Sequence, residues 1–264
     1  MDIKPKIAIV VPCYNEAQRL KGDEFLNYLE SNEDVCFIFV DDGSTDGTYD
    51  LLSRLQSLRP EQILCLRHRK NQGKAEAVRT GFAKAMNINA RYMGYWDADL
   101  ATPLRFINEF YEILGNSELK IVIGSRVSLL GHAIKRKALR HYFGRVFATF
   151  ASIALGVAIY DTQCGSKLFQ NTNDLRKVFS RPFSGKWTFD VEILARFILV
   201  ERNKKETNIG KIAVEFPIDE WTHISGSTVA PSDFFLGIIH LFKIYLILHF
   251  PGASRTYFDL FYSQ

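Results

Sequence analysis

The chain has 264 residues, which is enough for one large domain or two small ones, and its 47% apolar content predicts a globular protein with a substantial core rather than a disordered one. A formal net charge of +4 permits contact with phosphates or an anionic surface but does not indicate nucleic-acid binding. The four cysteines are widely separated and form no CxxC pair, which argues against a zinc site or a disulfide scaffold and fits a reducing, cytosolic compartment. The apolar run in MDIKPKIAIVVP is too short for a signal peptide or a membrane span.

Strands and helices are predicted to alternate through the first half of the chain. Apolar, β-branched segments predict buried strands at 6–12, 35–40, 63–66, 92–96 and 120–123. Helical spacing predicts helices at 24–31, up to 58, up to about 86 and at 103–114. This alternation predicts an α/β fold with a doubly wound, mainly parallel sheet.

Every predicted strand of this half ends in a polar cluster. In chain order the clusters contain PCYNE, DDGSTDG, NQGK, DAD and GSR. Ligands of such sheets bind outside the carboxyl ends of the strands, so these clusters are expected to line one cleft. The chain has neither GxGxxG after the first strand nor GxxxxGK[ST], which argues against a dinucleotide fold and a P-loop.

Two carboxylates, Asp97 and Asp99, follow the strand predicted at 92–96. Like charges this close repel each other unless a cation or hydrogen-bond donors intervene. Mg²⁺ is often shared between one or two carboxylates and the phosphates of a substrate, which makes the pair a candidate metal site. The alternative is a solvated turn that precedes a helix capped by Thr102.

Taken together, the segments PCYNE, DDGSTDGT, NQGKAEAVRTG, WDADLATP and GSR resemble, in the same order, the signature of the family 2 inverting glycosyltransferases of GT-A fold. The later segment DTQCGSKLF, residues 161–169, is similar to the polyprenyl-phosphate branch, which includes dolichyl-phosphate glucosyltransferases and mannose synthases. The resemblance extends from about residue 5 to residue 228. It implies a GT-A domain over residues 1–230 and a C-terminal extension over residues 231–264.

The resemblance implies that a nucleotide-sugar donor is held by the strand-end motifs. The residues implied for donor binding are Pro12, Tyr14, Glu16, Asp42, Asn71, Gly73, Lys74 and Asp97. Glu16 would contact the ribose and Asp42 would lie near the base. The alternatives are that Asp42 only caps the following helix and that 71–74 is only a helix start with a solvated lysine.

For the candidate metal site, the resemblance implies that Asp97 faces the donor and that Asp99 holds Mg²⁺ or Mn²⁺ against the diphosphate. Relatives of the mannose-synthase type have a glutamine two residues after the second aspartate, near the metal. Ala101 occupies that position here, so no third protein ligand is predicted.

The stretch from 119 to 160 contains no Asp or Glu and is strongly basic at its start. Its cations are Lys120, Arg126, Lys135, Arg136, Lys137, Arg140 and Arg145. A helix predicted at 135–155 is cationic first and apolar later, a pattern that fits a lipid phosphate, although a solvated basic end with a core-facing tail is the alternative. By resemblance, Arg126 and Arg140 would contact the phosphate of a polyprenyl-phosphate acceptor.

Two further elements follow the basic stretch. WTFDVE, residues 187–192, is predicted to open a helix that contains Asp190. For a hydroxyl acceptor Asp190 would be the general base, whereas for a phosphate acceptor it would only orient groups. The alternative is that Asp190 simply caps the helix. A late strand is predicted at 211–217. The apolar helix predicted at 234–250 has one polar stripe of Gly237, His240 and Lys243 and is interpreted as a peripheral, in-plane membrane helix, or alternatively as a core or dimer helix.

The predicted reaction is metal-dependent, inverting transfer of a hexose to a polyprenyl phosphate, dolichyl or undecaprenyl. Glucose from UDP-glucose is the predicted donor, because DTQCG resembles the glucosyltransferase branch. The alternatives are a GDP-mannose donor, a glycan hydroxyl as acceptor, or a noncatalytic binding module. The predicted location is the cytosolic face of a membrane, with peripheral contact and no nucleic-acid partner; the sequence gives no oligomeric state.

Overall fold

A computed structural model describes residues 5–127, 133–135, 138–203, 209–222, 231–250 and 252. The chain divides into two compact units. The first is Met1–Val122 with Gly165–Asn171, and the second is Ile123–Cys164 with Thr172–Gln264.

The described residues form nine strands and eight α-helices. The strands are β1 (Ile7–Cys13), β2 (Val35–Asp41), β3 (Ile63–Arg67), β4 (Tyr92–Trp96), β5 (Ile121–Ser125), β6 (Ala133–Lys135), β7 (Ser166–Gln170), β8 (Ala213–Pro217) and β9 (Glu220–Thr222). The helices are α1 (Gly22–Glu30), α2 (Thr48–Leu58), α3 (Lys74–Asn87), α4 (Phe106–Gly115), α5 (Ala138–Leu155), α6 (Asn173–Phe179), α7 (Phe189–Asn203) and α8 (Pro231–His249).

The main sheet has seven strands in the order β3-β2-β1-β4-β7-β5-β8. β1 pairs in parallel with β2 and with β4, and β2 pairs in parallel with β3. The five strands predicted in the first half of the chain, the late strand and the mainly parallel sheet are therefore confirmed. β7 was not predicted, and it runs antiparallel to β4.

Helices cover both faces of this sheet in the first unit. On one face, Phe25 of α1 packs against Phe37 and Phe39 of β2, with ring centroids 5.0 Å apart in both pairs. On the other face, Phe82 of α3 packs against Tyr95 of β4. Phe37 and Tyr95 point to opposite faces of the sheet. Ile9 of β1 is aligned with Phe37 of β2 and with Gly94 of β4, so Phe37 and Gly94 share a face. Tyr95 is the next residue along β4 and therefore points to the other face. The doubly wound arrangement is confirmed.

The basic stretch of the second unit begins differently from the prediction. Ala133–Lys135 forms β6, which pairs in parallel with β9, and α5 starts only at Ala138. The predicted helix start at residue 135 was wrong. A run of three cations, residues 135–137, is unfavourable in the first turn of a helix because the positive end of the helix dipole repels it.

The polar stripe of α8 faces solvent only in part: Lys243 is exposed, His240 is half-buried and Gly237 is buried. Gly237 is buried, and a Cβ atom there would lie 3.2 Å from the Trp187 ring. His240 contacts Thr188 and Glu192. α8 also exposes large apolar side chains, namely Phe235, Leu236, Ile239 and Phe242. Among the described helices, none is both long enough and apolar enough to cross a membrane.

A buried ionic network ties α7 to α8. Glu192 is 2% exposed and accepts hydrogen bonds from the backbone N–H groups of Ser184 and Gly185 and from the Arg196 guanidinium at 2.8 Å. His240 Nε2 lies 3.3 Å from the same carboxylate. Burial opposes ionisation of Glu192, but His240, Arg196 and the Gly185 N–H together lower its pKa to about 2.

We expect Glu192→Gln to lower the free energy of unfolding at pH 7 by about 3 kcal/mol, because it removes the carboxylate that lies 2.8 Å from the buried Arg196 guanidinium. The lowered pKa means that the stabilising contribution of Glu192 is complete above its ordinary pKa of 4.5 and is lost as the pH falls toward about 2. Urea unfolding at pH 7 and pH 3 measures this, with exposed Glu61→Gln as control. An equal difference between wild type and variant at both pH values would contradict the assignment.

Candidate functional site

The backbone after β4 turns sharply and fixes both carboxylates of the DAD motif. The Asp97 N–H donates to the Gly165 carbonyl at 3.0 Å, and the Leu100 N–H donates to the Asp97 carbonyl. Leu100 has a φ of 51°, so the turn passes through the left-handed region. Asp99 Oδ1 accepts from the Ala101 N–H at 3.0 Å. The alternative that Thr102 caps α4 was wrong, because α4 begins at Phe106.

Three carboxylates act on one another here. Burial raises the pKa of Asp99, and the charge of Asp97 raises it further, while the Ala101 N–H and the cations Lys74 and Arg19 oppose the rise. Burial also raises the pKa of Glu16, opposed by Arg19 and assisted by Asp99 and Asp97. A site with excess negative charge of this kind favours a bound cation.

Lys74, at the start of α3, reaches this cluster. Its Nζ lies 2.5 Å from Asp97 Oδ1, although both side chains remain more than one-third exposed. The loop before α3 therefore meets the turn after β4, as expected from the parallel topology. The ammonium group is placed where it can neutralise either a carboxylate or a diphosphate.

Gly165 approaches the Asp97 carboxylate too closely for any other residue. A Cβ atom at this position would lie 1.9 Å from Asp97 Oδ2. We expect Gly165→Ala to displace the carboxylate by about 1 Å and to lower kcat by about 100-fold. Steady-state transfer assays and circular dichroism measure this. Gly115→Ala is the matched control, because its Cβ would come no nearer than 3.9 Å to Tyr111, and equal activity of both variants would contradict the expectation.

The loop after β1 is hydrogen-bonded to the loop after β2 and to the start of α2. Asn15, at a φ of 53°, donates its backbone N–H to Ser44 Oγ and accepts from the Thr45 N–H. The Glu16 N–H donates to Thr48 Oγ1 at 2.8 Å. Glu16 also pairs with Arg19 at 2.6 Å. The predicted convergence of these strand-end motifs is confirmed.

The predicted donor-binding residues of this region differ in exposure. Pro12 belongs to β1 and pairs with Val40, whereas Tyr14 is 45% exposed beside it. Asn71 is exposed and Gly73 is half-buried with a φ of 95°. Asp42 is almost fully buried, and its carboxylate accepts hydrogen bonds from the backbone N–H groups of Gln72 and Gly73. It does not cap α2, so that alternative was wrong.

In the second unit, Arg126 follows β5 and is held by Asp161. Its Nε and Nη2 donate to the two oxygens of Asp161 at 2.6 and 2.7 Å, and its guanidinium stacks over Trp221. Asp161 is fixed in turn by Glu215 of β8, which accepts from the backbone N–H groups of Tyr160 and Asp161 at 2.8 Å. No sequence pattern pointed to Glu215, since it lies 54 residues from Asp161.

The two remaining predicted site residues, Arg140 and Asp190, lie in the first turns of helices. Arg140 lies in the first turn of α5, but its side chain is outside the described part of the protein. Asp190 lies in the first turn of α7 and is 4% exposed.

The chemistry of the DAD turn fits a divalent cation that is shared with a ligand. Among the described residues, no group of three or more His, Cys, Asp and Glu side chains is arranged to enclose a metal ion. The carboxylates of Asp97 and Asp99 are hard oxygen donors, and Mg²⁺ characteristically takes one or two such ligands and completes its shell with water and substrate phosphates.

The fold is that of the GT-A glycosyltransferases. A crystal structure of glucosyl-3-phosphoglycerate synthase from Mycobacterium tuberculosis, in complex with Mn²⁺, UDP and glucosyl-3-phosphoglycerate, aligns with a TM-score of 0.62 and 14% identity, over 92% of this chain and 79% of that chain. Another crystal structure of the same enzyme aligns with a TM-score of 0.60 and 15% identity. The expected GT-A fold is confirmed.

Sequence relatives define the family. The model of glycosyl transferase family 2 matches residues 8–171. A dolichyl-phosphate β-glucosyltransferase of Dictyostelium discoideum is 33% identical over 85% of this chain and 69% of its own length. The human dolichyl-phosphate β-glucosyltransferase is 32% identical over 86% and 70%. The protein belongs to glycosyl transferase family 2 and is a glycosyltransferase.

Proposed function

We propose that the protein transfers glucose from UDP-glucose to the phosphate of a polyprenol such as dolichol, with inversion at the anomeric carbon and with Mg²⁺ or Mn²⁺ as cofactor. The observation that carries the proposal is the DAD turn, where the Lys74–Asp97 contact and the raised pKa of Asp99 support binding of a cation and a diphosphate. The relatedness to dolichyl-phosphate β-glucosyltransferases supports the sugar and the acceptor.

The donor half of the mechanism rests on residues of the first unit. Glu16 and Tyr14 lie beside the loop after β1, where a nucleoside would be held. Asp99 would hold the metal and Asp97 would face the donor, while Lys74 would contact the diphosphate. When bound, the metal would neutralise charge on the departing diphosphate.

The acceptor half rests on Arg126. A phosphate monoester has its second pKa near 6, so its oxygen is already a charged nucleophile at neutral pH and requires no general base. Arg126, oriented by Asp161, would bind and align that phosphate. Arg140 is the second candidate for this contact. Asp190 would orient groups rather than accept a proton.

Turnover with radiolabelled donors tests the proposal. UDP-glucose, GDP-mannose and UDP-N-acetylglucosamine are each incubated with Mg²⁺ or Mn²⁺ and a short polyprenyl phosphate in detergent, and label is counted in the organic phase. The third donor is included because a Methanococcus voltae relative, 25% identical, is a UDP-N-acetylglucosamine–dolichyl-phosphate N-acetylglucosaminyltransferase. We expect label from UDP-glucose that disappears with EDTA. Label only on a polyprenol or glycan hydroxyl would contradict the proposed acceptor.

Peripheral contact with a membrane is part of the proposal. α5 exposes Val146, Phe150 and Ile153 at the spacing of one helix face, and α8 exposes Phe242 and neighbouring apolar residues. These two helices pack against each other in the second unit. Large apolar side chains on an exposed helix face are suited to the headgroup boundary of a bilayer.

We expect the double variant Phe150→Asp/Phe242→Asp to reduce co-flotation with phospholipid vesicles by about tenfold, because it removes apolar area that would be buried in the bilayer. Transfer to a short polyprenyl phosphate in detergent is the control and should stay near the wild-type rate. Unchanged flotation of the double variant would contradict the proposed membrane contact.

A further inference from the structure

A buried histidine and a threonine lie behind the loop that carries Lys74. His68 follows β3 and is 9% exposed, and its backbone N–H donates to the Asp41 carbonyl. Its Nδ1 lies 2.7 Å from Asp42 Oδ1, and its Nε2 lies 3.0 Å from the hydroxyl of Thr80 in α3. Because a carboxylate only accepts, Nδ1 carries the proton that is shared with Asp42.

Asp42 connects this histidine to the loop. Its Oδ1 also accepts from the Gln72 N–H at 2.9 Å, and its Oδ2 accepts from the Gly73 N–H at 2.7 Å. Charge-assisted hydrogen bonds to a buried carboxylate are stronger and shorter than neutral ones. One side chain therefore fixes two consecutive amides of residues 70–74, which we call the donor loop.

Two glycines adapt the donor loop to this attachment. At Gly43 a Cβ atom would lie 2.5 Å from the Lys70 carbonyl carbon, so the backbone after β2 packs directly on the loop. Gly73 has a φ of 95°, which other residues rarely adopt. The next residue is Lys74, whose ammonium group reaches Asp97. A continuous series of contacts thus runs from Thr80 through His68 and Asp42 to the donor loop, and from Lys74 of that loop to the DAD turn.

We propose that Thr80, His68 and Asp42 are positioning residues that hold the donor loop in the conformation in which Lys74 meets Asp97, and that they thereby set the affinity for the nucleotide-sugar donor. The effect on donor affinity rests on the proposed function, whereas the attachment of the donor loop rests on the geometry alone. On this assignment Asp42 acts through the loop, in addition to the nucleoside contact that the family resemblance implies for it.

Amide hydrogen exchange, read by NMR, tests the attachment without any substrate. We expect His68→Ala to accelerate exchange at Gln72 and Gly73 by about tenfold or more, because Asp42 loses the partner that orients it. His68→Asn should restore most of the protection, since the asparagine amide can donate from a position close to that of Nδ1. Thr80→Val, which keeps the side-chain shape, should have an effect of about threefold.

Donor kinetics test the consequence. His68→Ala should raise KM for UDP-glucose by about tenfold and leave KM for polyprenyl phosphate unchanged, with His68→Asn near the wild type. Ser57→Ala, an exposed hydroxyl on α2, is the control. Melting temperatures of all variants establish that they are folded.

The outcomes separate the two claims. Unchanged exchange at Gln72 and Gly73 in folded His68→Ala would overturn the attachment, whatever the enzyme transfers. Faster exchange with an unchanged donor KM would overturn the link to donor affinity. If wild-type protein transfers no sugar, the proposed function fails, while the exchange data and the Mn²⁺-dependent binding of UDP to wild type and His68→Ala still decide the inference.

Discussion

Replacing Asp99 by asparagine is expected to lower kcat/KM for sugar transfer by about 10³-fold and, at the same time, to raise the melting temperature of the metal-free protein by a few degrees. Activity falls because the amide is a weaker ligand for a hard cation than the carboxylate. Stability rises because the substitution removes a buried charge that Asp97 repels. A variant that is more stable but less active would show that the buried charge of Asp99 serves activity at the expense of stability.

The stability difference between wild type and Asp99→Asn is expected to depend on pH. Since the pKa of Asp99 is raised in the folded protein, its ionised form costs stability at neutral pH. The advantage of Asp99→Asn should therefore fade as the pH falls through the raised pKa of Asp99 and should be lost below about 4, where the wild-type carboxyl is protonated in both states. Calorimetry at pH 7.5 and pH 3.5 without metal measures it. Exposed Glu112→Gln is the control, and a destabilised Asp99→Asn at neutral pH would contradict the prediction.

Arg126→Ala is expected to lower kcat/KM for polyprenyl phosphate by about 10²- to 10³-fold while KM for the donor stays the same, because the planar fork proposed to bind the phosphate is lost. The free energy of unfolding of the variant should also fall by about 3 kcal/mol, since the buried Asp161 loses its two hydrogen bonds to the guanidinium. Steady-state kinetics with each substrate varied and urea unfolding measure the two effects.

A double variant separates the two effects of Arg126. In Arg126→Ala/Asp161→Ala the buried carboxylate is removed together with the guanidinium, so much of the stability should return. Acceptor kinetics should remain as poor as in Arg126→Ala, because nothing replaces the guanidinium. Arg126→Lys is expected to recover less than a tenth of the activity, since an ammonium group cannot bind bidentately. Recovery of activity in the double variant would show that Arg126 serves only to balance Asp161.

The elements that could be predicted from the sequence are those whose own residues carry the signal. β1, β2 and β4 are continuous apolar runs because both faces of the sheet are covered, and such runs are recognisable without a structure. β7 was missed because it contains Ser166 and Lys167, which are fully buried although they are polar. Lys167 lies over the Tyr95 ring, a contact that sequence pattern does not reveal.

The candidate site was predictable to a similar extent. Motifs at strand ends located Asp97, Asp99 and Lys74, because parallel topology brings such ends together. The partners that orient these groups were not found, since the contact of His68 with Asp42 spans 26 residues and that of Gly165 with Asp97 spans 68. Only folded geometry relates residues at such separations.

The antiparallel strand β7 also sets an order of events during protein synthesis. β4 lies between β1 and β7, so one of its edges has no partner until residues 166–170 have been made. The carbonyl that fixes Asp97 arrives at the same moment, because Gly165 directly precedes β7. A nascent chain that ends before this point has the four parallel strands β1 to β4 but an open edge on β4, which is a site for wrong pairing. Completion of the DAD turn and protection of the sheet centre therefore occur in one step.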